Sequence, residues 1–193
     1  VAYSWIINNI LICIMKPYVI AEMGVNFYDT AKKLNINPLE TAKMYIDAAA
    51  EAGIDCAKFQ SYKAGTIVSK NSPAYWDLTK EPTKTQYELF LKHDSFGECE
   101  YRELCKYTHD KGMDFTSTPF DYASADYLYD MVDFYKISSS DLSNLPFIHH
   151  IGAKGKPVFV SVGAAYLSEC DEAIRALQES GCKDIVVFHC VLS

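Results

Sequence analysis

No two cysteines in this 193-residue chain are spaced as Cys-x-x-Cys. The seven cysteines, at 13, 56, 99, 105, 170, 182 and 190, are odd in number and scattered, so neither a zinc site nor a disulfide framework is indicated. Free thiols, mostly buried, in a reducing cytoplasm are the expectation. An excess of positive charge is also missing. Lys and Arg total 18 against 25 Asp and Glu, a net charge of -7, which argues against nucleic acid or an anionic membrane as partner. No apolar run reaches the about 20 residues that a bilayer span requires. The nearest candidate, residues 1–14 (VAYSWIINNILICI), is interrupted by Asn8 and Asn9 and lacks the basic start and cleavage site of a signal peptide. Met15-Lys16-Pro17 reads as a natural start, so residues 1–15 are expected to be an N-terminal extension and 16–193 the folded portion. No internal repeat, low-complexity tract or linker divides the chain.

What is present is an ordinary globular composition, 49% hydrophobic and 22% charged, with length for one domain and a sizeable core. Short apolar runs alternate with helical patterns. Strands are expected at 18–23, 56–60, 114–118, 134–138, 157–162 and 185–189, and helices at 38–51, 85–92, 98–111, 122–131, 145–153 and 167–180. Between the first strand and the first helix a polar loop is expected over 26–37, and a long connection spans 61–100. The strand bodies are continuous apolar runs rather than alternating ones, which indicates parallel strands covered on both faces. The fold class is α/β, a (β/α)8 barrel of which about six βα units are visible; a closed barrel has eight and typically about 250 residues. An open doubly wound sheet also fits the count, but Glu22-Met23-Gly24-Val25-Asn26 after the first strand lacks the glycine-rich phosphate loop of that fold.

Each of the six runs ends in a polar cluster: Glu22, Lys58 with Gln60, Ser117-Thr118, Lys136 to Asp141, Ser161 with Gly163, and His189. Polar residues at the C-terminal ends of several parallel strands are how a barrel assembles one active-site mouth. Lys58 and Lys136 sit inside apolar strands, where an ammonium needs an anionic partner or a lowered pKa. Two of them at one mouth suit a phosphate or carboxylate ligand. The plainer alternative is internal pairing with Glu22 or Asp141, and a Schiff-base lysine is a further possibility. Ser138 to Ser140, Ser117 and Thr118 supply neutral donors for a phosphate cradle, although serines after strands are also common turn formers. Glu22 and Asp141 are candidates for general acid or base work. His189 has no second ligand nearby in sequence and reads as a packed residue behind the site.

The segments YVIAEMGVN, AKFQSYKAGTIVSKNSP, Gln86–Glu88, FTSTPFD, YKISSSDLSNLP, GKPVFVSVG and FHCVLS occur in an order and spacing that resembles the sialic acid synthase family, over about residues 16–193. The resemblance implies a (β/α)8 barrel enzyme, a transferase that condenses phosphoenolpyruvate with an N-acetylated hexosamine such as N-acetylmannosamine, and water, releasing phosphate. It implies Lys58, Thr118, Lys136, Ser139 and Ser161 as phosphoenolpyruvate ligands, Glu22 and Gln60 on the sugar or water side, and Asp141 near the reacting centre. It also implies a divalent metal, manganese or magnesium, a homodimer, and a C-terminal antifreeze-like domain. The metal ligands, the last two βα units and that domain are expected beyond Ser193. Departures are Phe27-Tyr28-Asp29, where many members have His-Asn-Gly, and Leu192, where an asparagine is frequent. Alternatives are an inactive remnant, or a phosphoenolpyruvate-dependent synthase of the octulosonate- or heptulosonate-phosphate type. The latter needs a second phosphate site, and Arg102 and Arg175 both fall on helices rather than strand ends.

Overall fold

The computed structural model describes residues 17–190. In chain order it contains β1 (Ile20–Gly24), α1 (Phe27–Leu34), α2 (Pro38–Glu51), β2 (Cys56–Ser61), α3 (Ala64–Ile67), α4 (Gln86–Leu91) and α5 (Glu98–Asp110). There follow β3 (Asp114–Pro119), α6 (Tyr122–Tyr127), β4 (Tyr135–Ile137), a 3-10 turn (Ser139–Asp141), α7 (Leu145–Gly152), β5 (Val158–Ser161), α8 (Leu167–Glu179) and β6 (Ile185–Phe188). The expected N-terminal extension, residues 1–15, and Leu192 lie outside the described residues.

All strand pairing is parallel. β1, β2 and β3 form one sheet in that order, and β4, β5 and β6 another. The two meet at β3 and β4 without a regular ladder. Asp133 occupies the gap: its carboxylate accepts from the backbone N–H of Phe115 (2.8 Å) while its own N–H donates to Phe115 O (3.0 Å). The Thr116 hydroxyl donates to Phe134 O (2.7 Å). Six strands therefore follow one another in sequence order, the arrangement that right-handed βαβ crossovers generate.

Local sequence explains the covering helices. In α2, Asn37 caps the first turn by accepting from Leu39 N–H (2.8 Å), and Pro38 starts the helix where its missing N–H costs nothing. Thr41, Ala42, Ile46 and Ala49 form its buried stripe. In α5, Glu100 reaches back to Gly97 N–H (2.8 Å), and Tyr101, Leu104, Cys105 and Thr108 face inward. The polar loop expected over 26–37 is instead largely helix α1. Phe27, Tyr28 and Ala31 make one buried face, Lys32 and Lys33 sit at the negative end of the helix dipole, and Asn35 closes it in the left-handed conformation. Phe27 packs against Phe59 and Phe96. Aromatic burial over one and a half turns thus outweighs the polar composition that suggested a loop.

The core lies between sheet and helices. Ala57, Phe59, Phe115, Tyr135, Ile137, Val158 and Val160 pack with Ile46, Leu104, Leu128, Ile148, Ile151 and Leu177. Full burial of each such large side chain contributes on the order of 1.5–3 kcal/mol. Since side chains alternate along a strand, the other face of β2 and β4 carries Lys58 and Lys136. All six cysteines among the described residues are free thiols, as expected, but only Cys56, Cys105 and Cys182 are buried and Cys99 is exposed. No helix among the described residues is long and apolar enough to cross a membrane.

Candidate active site

Glu22, Lys58, Lys136 and Ser161 converge on one cavity of about 340 Å³, which Tyr18, Ile20 and Phe188 complete. The register accounts for this meeting: Glu22 on β1 lies opposite Lys58 on β2, and Lys136 on β4 opposite Phe159 on β5, two residues before Ser161. The three apolar members stand out in neither charge nor motif, so the sequence offered no signal for them beyond strand position.

The two lysines differ in how they are satisfied. Lys58, 8% exposed, is ion-paired through Nζ to Glu22 Oε2. Lys136, 6% exposed, donates to two neutral oxygens, Ser161 Oγ (2.6 Å) and Ile137 O (2.7 Å). Among the described residues no carboxylate pairs with it directly. Burial pulls its pKa down to about 8, the nearby charge of Lys58 adds to the effect, and Glu22 opposes it. Its ammonium has three donors and uses two within the protein. The cavity therefore holds a second buried ammonium without a paired carboxylate and with a donor to spare, an arrangement that favours an anionic ligand.

The other expected residues divide. Gln60 and Asp141 line a neighbouring cavity of about 430 Å³ with Thr66, Ile67, Phe90 and Phe120. Asp141 is pushed up in pKa by burial, against hydrogen bonding with Asn144 and Ser140. It does not line the lysine cavity, because the 3-10 turn carries it past the end of β4. Thr118 lies beside Gln60 in the β2–β3 register and is buried. Ser139 lines a third cavity, of about 370 Å³, with Ala164, Ala165 and Glu169. Its position depends on Gly163, which has φ +54°; a Cβ there would fall 2.6 Å from Ser139 Cβ and 2.8 Å from its hydroxyl. Only glycine gives both the left-handed turn and this close approach. Both Ser139 and Gly163 stand out in the sequence at strand ends, but their contact does not. His189 is exposed, rather than packed behind the site.

Among the described residues no group of three or more His, Cys, Asp or Glu side chains is placed to hold a metal ion. The residues present thus do not by themselves fit the expected divalent metal, and no chemical step is derived through one.

A sequence profile of the NeuB family matches residues 45–193. An uncharacterized protein of Methanocaldococcus jannaschii is 34% identical over 177 residues, 91% of this chain and 46% of that protein. The N,N'-diacetyllegionaminic acid synthase of Legionella pneumophila is 33% identical over 183 residues, 91% of this chain and 49% of the enzyme. Among solved structures, the N-acetylneuraminic acid (sialic acid) synthetase of Leptospira borgpetersenii, in complex with citrate, superposes with a TM-score of 0.75 at 28% identity, covering 91% of this chain and 54% of that one. The chain spans about half the length of the curated relatives it matches.

Proposed function

This chain belongs to the NeuB family, and from that membership and the paired-lysine cavity we propose that it is the phosphoenolpyruvate-binding portion of a synthase that makes nonulosonic acids. In this reading phosphoenolpyruvate condenses with an N-acetylated hexosamine and water, and phosphate leaves. A (β/α)8 barrel in the whole protein, and assembly as a homodimer, belong to the same reading. The single observation that supports it most is Lys136, a buried ammonium hydrogen-bonded to neutral oxygens and facing Lys58 across a cavity open to a ligand.

The chemistry assigns work to each side chain. C3 of phosphoenolpyruvate attacks the aldehyde carbon of the acceptor; the π electrons of the C=O bond pass to the aldehyde oxygen, which takes up a proton, and positive character is left at C2. Water adds there, giving up one proton; the C2–O bond to phosphate then breaks as the new C2 hydroxyl becomes the keto oxygen, and inorganic phosphate departs with that hydroxyl's proton. Lys58 and Lys136 both hold the phosphate group and stabilise the negative charge that builds on it as it leaves. Ser161 orients the Lys136 ammonium and donates to the ligand's oxygens. Glu22 takes the proton of the attacking water. Gln60 and Asp141 face the acceptor sugar.

The pH dependence of binding tests this assignment. The anion requires the charged form of Lys136, and the free site loses that charge as pH rises through about 8. Calorimetric titration is expected to give a phosphoenolpyruvate affinity that falls about tenfold per pH unit above that point. An affinity that stays level from about pH 7 to 10 would remove Lys136 from the site.

A further inference from the structure

The cavity beside the lysines has a composition that bears on the acceptor. Gln60, Phe120 and Asp141 come from the ends of β2, β3 and β4, while Thr66, Ile67 and Phe90 come from the connection between β2 and α5. Among the described residues that line it there is no lysine, arginine or histidine, and its only carboxyl is Asp141. A second carboxylate stands just behind the wall, with Asp121 Oδ2 2.5 Å from the Thr66 hydroxyl. Three of the five lysines of the same connection, Lys63, Lys70 and Lys92, are engaged elsewhere, and Lys80 and Lys84 do not line the cavity. Lys63 donates to the carbonyls of Asp94 (2.5 Å) and Phe96 (2.8 Å), Lys92 pairs with Glu81 (2.9 Å), and Lys70 lies over the Tyr87 ring, 5.9 Å from its centre. A dianion placed here would meet carboxylates and no cation, whereas the aromatic and aliphatic side chains offer an apolar seat.

We propose that the acceptor bound here is an uncharged amino sugar, with hydroxyls on Gln60 and Asp141 and an apolar acyl or deoxy end against Ile67, Phe90 and Phe120, and that this wall rejects a sugar phosphate. The proposal rests on the synthase reading and narrows its substrate class. Positive charge is concentrated in the lysine cavity, where one anionic substrate is held, and is withheld from the place where the second substrate extends.

The test is binding to the purified protein in the presence of saturating phosphoenolpyruvate, followed by calorimetry. The probes are N-acetylmannosamine, a 2,4-diacetamido-2,4,6-trideoxyhexose, and N-acetylmannosamine 6-phosphate. At least one uncharged sugar is expected to bind tenfold or more tightly than the phosphate ester. Ile67→Lys is expected to reduce that preference by about tenfold, the change a well-placed charge pair makes, while its melting temperature shows that it folds. Equal or tighter binding of the phosphate ester to the parent protein would overturn the proposal and leave the synthase reading standing, as would a preference that Ile67→Lys leaves unchanged. Binding of phosphoenolpyruvate with no sugar bound would overturn the acceptor assignment alone. Absence of phosphoenolpyruvate binding would overturn the synthase reading, and the proposal with it.

Discussion

Replacing Lys136 with methionine is expected to abolish measurable phosphoenolpyruvate binding, weakening it by roughly 10²–10³-fold, while the protein folds at least as well as before. The loss follows from the desolvated setting. Truncating one partner of a buried, charge-assisted contact costs on the order of 2–5 kcal/mol, and Lys136 is the cation in this cavity whose hydrogen bonds run only to neutral oxygens. The gain in stability follows from the same burial. The folded-state pKa, about 8, lies below the ordinary 10.5, so at neutral pH folding carries the cost of keeping this ammonium charged, a difference of roughly 3 kcal/mol. By the same sign the parent protein should gain stability as pH rises from about 8 toward 10.5, and the variant should lack that rise. Methionine fills similar volume and removes the charge, leaving only the Ser161 hydroxyl and Ile137 carbonyl without a donor. A variant that binds phosphoenolpyruvate normally would move the anion site elsewhere; one that fails to fold would make Lys136 a structural residue.

Glu22→Gln is expected to separate binding from turnover. Phosphate release from phosphoenolpyruvate in the presence of acceptor should fall by roughly 10²–10⁴-fold, the contribution of a positioned general base. Phosphoenolpyruvate affinity should hold or improve, because removing the carboxylate frees Lys58 and lessens repulsion of the anion. The unliganded variant should be less stable by about 1–3 kcal/mol, since Lys58 is buried and loses its charged partner. Ligand should restore that loss, so phosphoenolpyruvate should raise the melting temperature of the variant more than that of the parent. If Glu22 served only to neutralise Lys58, turnover would change no more than stability does, and the liganded variant would react at close to the parent rate.

How far the sequence reached depends on what kind of signal each feature leaves. A lysine inside an apolar strand is visible in one dimension, because nothing but a buried charge is out of place there; Lys58 and Lys136 were legible for that reason, and the parallel βα order followed from the unbroken apolar runs. The apolar walls of the same cavity, Tyr18, Ile20 and Phe188, leave no such signal, since they resemble any core residue. Helix α1 was hidden because its buried face is short and its remaining positions are charged. The dependence of Ser139 on Gly163 joins two loops 24 positions apart, and only the fold brings them into contact. Asp141 lines the adjoining cavity with Gln60 rather than the lysine cavity, because the 3-10 turn after β4 carries it past the strand end. The charge of the neighbouring cavity was illegible for a related reason: Lys63 and Lys92 of the 61–100 connection are spent on Asp94, Phe96 and Glu81, pairings that only the fold reveals.

The claim on which the reading depends is that both lysine ammonium groups hold the same anion. Solid-state NMR of the protein with phosphoenolpyruvate bound and lysines nitrogen-labelled at Nζ measures this through phosphorus–nitrogen dipolar dephasing. Two nitrogens within salt-bridge range, about 4 Å or slightly beyond, are predicted, one of them vanishing in ligand-bound Lys58→Met. Dephasing from one nitrogen or none, with the ligand demonstrably bound, would contradict the account.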